Sequence, residues 1–133
     1  MKAKILLLML LVAGTLSAQN KLTLVVDGIE NVKGHLMVAL YDKDNFRKKP
    51  VSAQLVKVEA ETVVVVFENI PAGEYAVSLF QDENDNGKLD TGLFGIPTEK
   101  YGFSNNAKGQ YGPPSYNDCR FIIEEDTEIV ITL

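Results

Sequence analysis

From position 82 the chain reads Asp82, Glu83, Asn84, Asp85, Asn86, Gly87, Lys88, Leu89, Asp90. Oxygen-bearing side chains stand at the first, third, fifth and ninth places, and glycine at the sixth. That is the opening of the calcium-loop pattern D-x-[DN]-x-[DN]-G. Calcium is a hard cation that gathers about six to eight oxygens, and a tight turn brings alternate side chains inward to supply them. The spacing predicts ligands from Asp82, Asn84, Asn86 and Asp90 and from the Lys88 carbonyl, with Gly87 making the sharp turn. Glu99 or a loop carbonyl would complete the shell. A helix-loop-helix sensor carries a bidentate glutamate at the twelfth place, whereas this chain has Leu93 there. The preceding segment is strand-like, so the expectation is a short calcium turn of the extracellular kind. Only Asp82 and Asp90 bring ligand charge, which sets the expected affinity as weak, on the order of 10⁻⁴ to 10⁻³ M. Without metal the same residues make an Asx-rich turn capped by their own backbone.

Other chemistry is thinly represented. His35 is the only histidine and lies in a strand pattern beside Gly34. No serine or cysteine motif points to it as a base. No glycine-rich cradle runs from a strand into a helix to hold phosphate. Asp82 and Asp90 would serve a glycosidase pair less naturally than a shared metal turn. The expectation is a protein that is not an enzyme.

The charge balance narrows the partners. The chain has 133 residues, 13 basic against 18 acidic, for a formal charge of −5. Nucleic-acid binders need a basic footprint, and this chain lacks the composition for one. At 46% hydrophobic it is no disordered tail, and its length suits a single domain. The N-terminus reads as an export signal. Lys2 and Lys4 precede an apolar run at 5–12, and small residues follow at 13–18. The run is too short to span a bilayer as a helix, which takes about 20 residues. Cleavage is expected after Ala18, which leaves 19–133 and removes two positive charges. No cysteine follows the run, so no lipid anchor is expected. The mature protein is placed outside the cytoplasm, periplasmic or extracellular. Cys119 is alone, so no internal disulfide can form. It is expected as a buried small apolar residue opening a strand.

The elements that must position the turn are strands. Apolar residues alternate at 22–26, 35–41 and 74–81, and a valine run stands at 62–67. Shorter candidates lie at 54–59, 119–123 and 128–133. A polar connection at 42–50 is read with one helical turn around Phe46. A tight turn is expected at 69–73, and a solvated hairpin turn at Glu124, Glu125 and Asp126. Seven short strands predict an all-β fold, a single antiparallel β-sandwich of immunoglobulin-like or transthyretin-like type, with a small barrel as the alternative. One long loop interrupts it at 82–118. Loops of that length are functional or disordered, and the density of aromatic residues, Phe94, Tyr101, Phe103, Tyr111 and Tyr116, argues for a packed one. Tyr101, Phe103, Tyr111 and Tyr116 are candidate ligand contacts, since exposed rings stack on sugars or peptides. The competing expectation is that they form the loop's own small core.

Three strings taken together carry a resemblance. They are FENIPAGEYAV at 67–77, DENDNGKLD at 82–90 and GIPTEKYGFSNN at 95–106. In combination they resemble a family of exported bacterial proteins known as domain of unknown function 2141, across the whole of 19–133. The turn and strand around IPAGEY also look like those of transthyretin-like and carboxypeptidase-regulatory-like sandwiches. The resemblance implies export and a sandwich, and no activity. The functional expectation is a binding or accessory module with a calcium-ordered loop, meeting a carbohydrate or protein of the cell envelope. The alternatives are a structural envelope module acting through a sheet edge, and an enzyme with an unfamiliar site.

Overall fold

The structure, a computed structural model, describes residues 19–133; the export signal expected at 1–18 lies outside the described residues. Eight strands form two sheets: β1 (Gln19–Asp27), β2 (His35–Tyr41), β3 (Ser52–Lys57), β4 (Val63–Pro71), β5 (Gly73–Asp82), β6 (Tyr101–Phe103), β7 (Phe121–Ile123) and β8 (Thr127–Thr132). One sheet runs β4-β1-β8, and the other runs β3-β2-β5-β6, with β7 also paired to β5. The expected all-β sandwich is present. Its pairings are antiparallel except β1 with β8, which is parallel.

Period-two alternation builds the core. Leu22, Leu24 and Val26 from β1 meet Leu36, Val38 and Leu40 from β2. Val63, Val65 and Phe67 from β4, Val77 and Leu79 from β5, and Ile131 from β8 complete it. Most of these side chains have almost no exposure. Each contributes about 1.5–3 kcal/mol by leaving water.

Local chemistry moved several expected boundaries. The turn placed at 69–73 is narrower, because β4 runs on to Pro71. A bulge between the Asn20–Ile70 and Leu22–Phe67 pairs absorbs Glu68 and Asn69, with Asn69 at φ 58. Asparagine tolerates that left-handed backbone better than most residues. Cys119 is buried as expected but does not open a strand. It closes a helical turn, α1 (Tyr116–Cys119), capped by the Ser115 side chain accepting from Asp118 N. Burial pushes its thiol pKa up to about 11. Such a thiol stays protonated and unreactive. The acidic stretch at 124–126 is not a hairpin turn, since β7 and β8 lie in different sheets. It is a corner between them, held by Asp126 Oδ1 accepting from Lys21 N at 2.8 Å.

The long excursion folds back over the outer face of the larger sheet. There Ala76, Phe103 and Cys119 form a second buried cluster, with Phe46, Ala107 and Tyr116 packed against it. The hidden strand β6 pairs with the free edge of β5. Gly102 lets it lie close: an added Cβ would come within 2.7 Å of the Ile131 side chain. Ser104, fully buried, stitches the return. Its Oγ accepts from Val77 N at 2.9 Å and donates to the Cys119 carbonyl at 2.5 Å. Ser104→Ala leaves a buried donor and a buried acceptor unpaired. The expected loss is about 1–3 kcal/mol, read as a lower urea midpoint at unchanged slope.

Candidate functional site

Strand β5 ends at the residue that starts the turn. Asp82 is buried, and its position is fixed from both sides. It pairs with His35 in the β2–β5 ladder, and Gly34 packs against its backbone so tightly that a Cβ there would lie 2.0 Å from the Asp82 carbonyl oxygen. Gly34 also holds φ 69, so glycine is required twice over.

The turn closes around Asp82. Its two carboxylate oxygens accept from Asn86 N at 3.2 Å and Gly87 N at 2.7 Å. Gly87 takes φ 78. Asn84 Oδ1 accepts from Asn86 N at 3.3 Å, and Asn86 Oδ1 from Lys88 N at 3.1 Å. The Asn84 and Asn86 amides each donate to one oxygen of Asp90, both at 2.6 Å. The sequence-predicted side chains Asp82, Asn84, Asn86 and Asp90 are therefore brought together. Asn84 and Asn86 satisfy the Asp90 carboxylate with their amide N–H groups, while Asp82 caps the turn's backbone. Among the described residues, no three His, Cys, Asp or Glu side chains converge closely enough to hold a metal by themselves. Any cation site here would draw on the asparagine and carbonyl oxygens.

Glu99, expected with a loop carbonyl as an alternative source of the missing ligand, lies at the turn with each carboxylate oxygen accepting one backbone N–H. One oxygen accepts from Glu83 N at 2.8 Å and the other from Asp90 N at 2.9 Å. It clamps the two ends of the turn. His35 begins β2 as a strand residue, and its Nδ1 lies 2.6 Å from Asp85 Oδ1, tying the turn's outer side to the sheet.

From Asp90 the chain projects a short finger. Thr98 N and Oγ1 both donate to the Asp90 carbonyl, Gly92 N donates to Ile96 O, and Thr91 bridges Pro97. The tip presents Leu93 at 84% exposure, Phe94 at 97% and Ile96 at 64%. Phe94 holds φ 61 and ψ 22. That backbone is a genuine outlier for a bulky residue. Sequence reasoning missed the finger as a surface, because Phe94 was counted among rings that pack the loop.

The four candidate contact rings divide. Phe103 is 7% exposed, and Tyr116 stacks edge-on against Phe46 at 5.6 Å. These two belong to the loop's own core. Burial first, and then the Glu74 carboxylate beside it, push the Tyr116 pKa up to about 12. Tyr101, at 48%, and Tyr111, fully exposed, face solvent. With Phe94 and Ile96 they line a cleft of about 590 Å³ between the finger, the 109–113 segment and Arg47. No helix among the described residues is long and apolar enough to cross a membrane.

The protein is thus a β-sandwich whose longest connection closes on an Asx turn and offers exposed apolar side chains. The chain matches the family described as uncharacterized protein conserved in bacteria, domain of unknown function 2141, over residues 24–131, and it belongs to that family. No curated protein and no solved structure matches it.

Hydrogen bonds, first from Asn86 and then from Asn84, hold the Asp90 carboxyl below the ordinary 3.8. A depressed folded value means the bonds stabilise the turn fully above about pH 4 and are lost as pH falls through the lower folded value. Amide resonances of Asn84 and Asn86 are expected to keep their positions from pH 7 to 4 and to shift together below that. Asp90→Asn should abolish the coupled shift.

Proposed function

We propose that this protein is an exported, non-catalytic binding or accessory module of the bacterial cell envelope. Its working surface is the 82–118 excursion, and calcium orders the turn at the base of that surface. The observation that supports this reading is the finger. Leu93, Phe94 and Ile96 stand in water on a hydrogen-bonded hairpin whose base is Asp90. Contiguous exposed apolar groups on a small protein mark an interaction site. Their support runs through the turn, so whatever fixes Asp90 fixes the finger. Calcium suits the donor set, which is all oxygen once the Asn84 and Asn86 amides turn their carbonyls inward. The IPAGEY turn and strand support, on this reading, a likeness to the transthyretin-like and carboxypeptidase-regulatory-like accessory sandwiches.

The reading through a sheet edge draws less support. Gln54 Nε2 donates to Val66 O on the β4 edge, and Asn106 Oδ1 accepts from Thr132 N on the β8 edge. Both engagements occupy groups that an added strand would need.

Thermal melts in EDTA, in calcium and in magnesium test the proposal. At ten times the dissociation constant the gain is about 1.4 kcal/mol, a shift of several degrees in calcium alone. Asp90→Ala should remove it. Calcium should also raise retention on isolated envelope fractions, and Leu93→Ser with Phe94→Ser should cancel that retention without moving the melt. No calcium shift at saturation would refute the metal, and unchanged retention in the finger variant would refute the surface.

A further inference from the structure

The cleft behind the finger has an electrostatic character at odds with the rest of the chain. Across a protein with 18 acidic residues, the cleft wall contains none, and its one charged side chain is Arg47. Arg47 is exposed and makes no hydrogen bond or ion pair with any described residue. An unpaired guanidinium is a planar fork of donors that matches a carboxylate in two-pronged fashion. Apolar and aromatic side chains, Phe94, Ile96, Tyr101 and Tyr111, make up most of the other walls, with the uncharged Thr91 and Gln110 between them, over a floor where Ser78 of β5 pairs with Phe103 of β6.

Two features show that this arrangement is held at a cost. Arg47 has φ 60 and Phe94 has φ 61, so two non-glycine residues of one cleft sit in left-handed backbone. Strain of this kind persists only where the surroundings impose it. The 42–50 turn imposes it at Arg47: Asp42 Oδ1 accepts from Asn45 N, while Lys48 N and Lys49 N both donate to Asn45 O. At Ser78 the cleft meets a second apolar groove of about 490 Å³, lined by Met37, Ala39, Leu55 and Phe80 and by no charged residue. The surface thus joins one cation to two adjoining grooves that carry no other charge. Its volume suits a small organic ligand.

We propose that this cleft binds an amphiphilic carboxylate, with the carboxylate on Arg47 and the hydrocarbon body against Phe94, Tyr101 and Tyr111. The proposal rests on the binding-module reading above and gives its ligand a chemical class. Charge complementarity selects the head group, since a cationic amphiphile would meet Arg47 as a like charge. The apolar walls select the body, since a short carboxylate would leave them in water.

Isothermal titration of the purified protein with decanoate, below its micelle concentration, tests this. Acetate and decyltrimethylammonium serve as the head-only and wrong-charge probes. Decanoate is expected to bind saturably, and both controls to bind at least tenfold more weakly. Arg47→Gln should weaken decanoate on the order of tenfold, as loss of a charge-assisted hydrogen bond does, while Arg47→Lys should fall between. Tyr111→Ser should weaken it too. Arg47 and Tyr111 are exposed, so an unchanged melting temperature will show that both variants fold. Amide shifts on binding should map to 94–96, 101–103 and 109–112. Absence of decanoate binding, equal binding of the ammonium amphiphile, or indifference to Arg47→Gln would each overturn the proposal. Capture by phosphatidylglycerol vesicles that decanoate fails to compete would overturn it in favour of a membrane surface. Envelope retention and the calcium shift are read separately, so failure here refutes the ligand class and leaves the module reading to its own test.

Discussion

The second edge of β5 is the constraint on which the rest of the molecule depends. One edge of β5 is paired to β2 over 76–82. The other edge would leave a row of backbone donors and acceptors without partners inside the sandwich, and buried groups of that kind must be satisfied. Only the returning excursion can reach them. It does so in four places: β7 pairs residues 73–75, Ser104 Oγ takes the N–H of Val77, β6 pairs 78–80, and Lys100 O takes the N–H of Gln81. The long loop is therefore not a free appendage. Its path is dictated by the hydrogen-bond demand of the strand it leaves.

That path explains which parts of the excursion are buried and which are offered to solvent. Residues at the contact with β5 turn inward: Phe103 ends β6, Ser104 follows it, and Cys119 precedes β7. Between the anchor at Asp82 and the anchor at Lys100 the chain has no sheet to lie on, so it must close on itself. Glu99 achieves this by accepting from Glu83 and Asp90 across the base of the turn. Everything from 91 to 97 then projects beyond that clamp. Burying Leu93, Phe94 and Ile96 would need a covering layer, and among the described residues none lies over them.

Much of the sandwich was legible because its strands are half-buried and therefore alternate. β2 was bounded to the residue, and β1, β4, β5 and β8 were found within a few residues. What escaped was set by non-local pairing. The parallel match of β1 with β8 carries no local signature, since either direction of β8 buries Ile131. β6 is only three residues long, too short for a period to show. The candidate turn was legible because Asp, Asn and Gly at fixed spacing act locally. The fate of each ring was not. Tyr101 and Phe103 have the same parity and lie on the same face of β6, yet one is half exposed and the other buried. The difference is made by Phe46 and Tyr116, which cover Phe103 from segments 57 residues before and 13 after it. Nor could spacing reveal Gln81, whose buried amide donates to the Asn31 and Lys33 carbonyls and pins the 28–34 loop beside the turn.

The turn at Asp82 is already complete as a hydrogen-bonded structure, and this bears on how a cation would act there. Both Asp82 oxygens are occupied by backbone N–H groups, and both Asp90 oxygens by asparagine amides. The Asp82 bonds are compatible with ligation, because a carboxylate oxygen has lone pairs for both a donor and a metal. The Asp90 bonds are not, because the same two amides would have to present oxygen where they now present N–H. A cation would therefore exchange two charge-assisted hydrogen bonds for ligation, and only the difference would appear as affinity. On the calcium reading this makes the turn a weak site that stays folded when empty, suited to millimolar calcium outside the cell. It would stiffen the finger's base without deciding whether the sandwich folds.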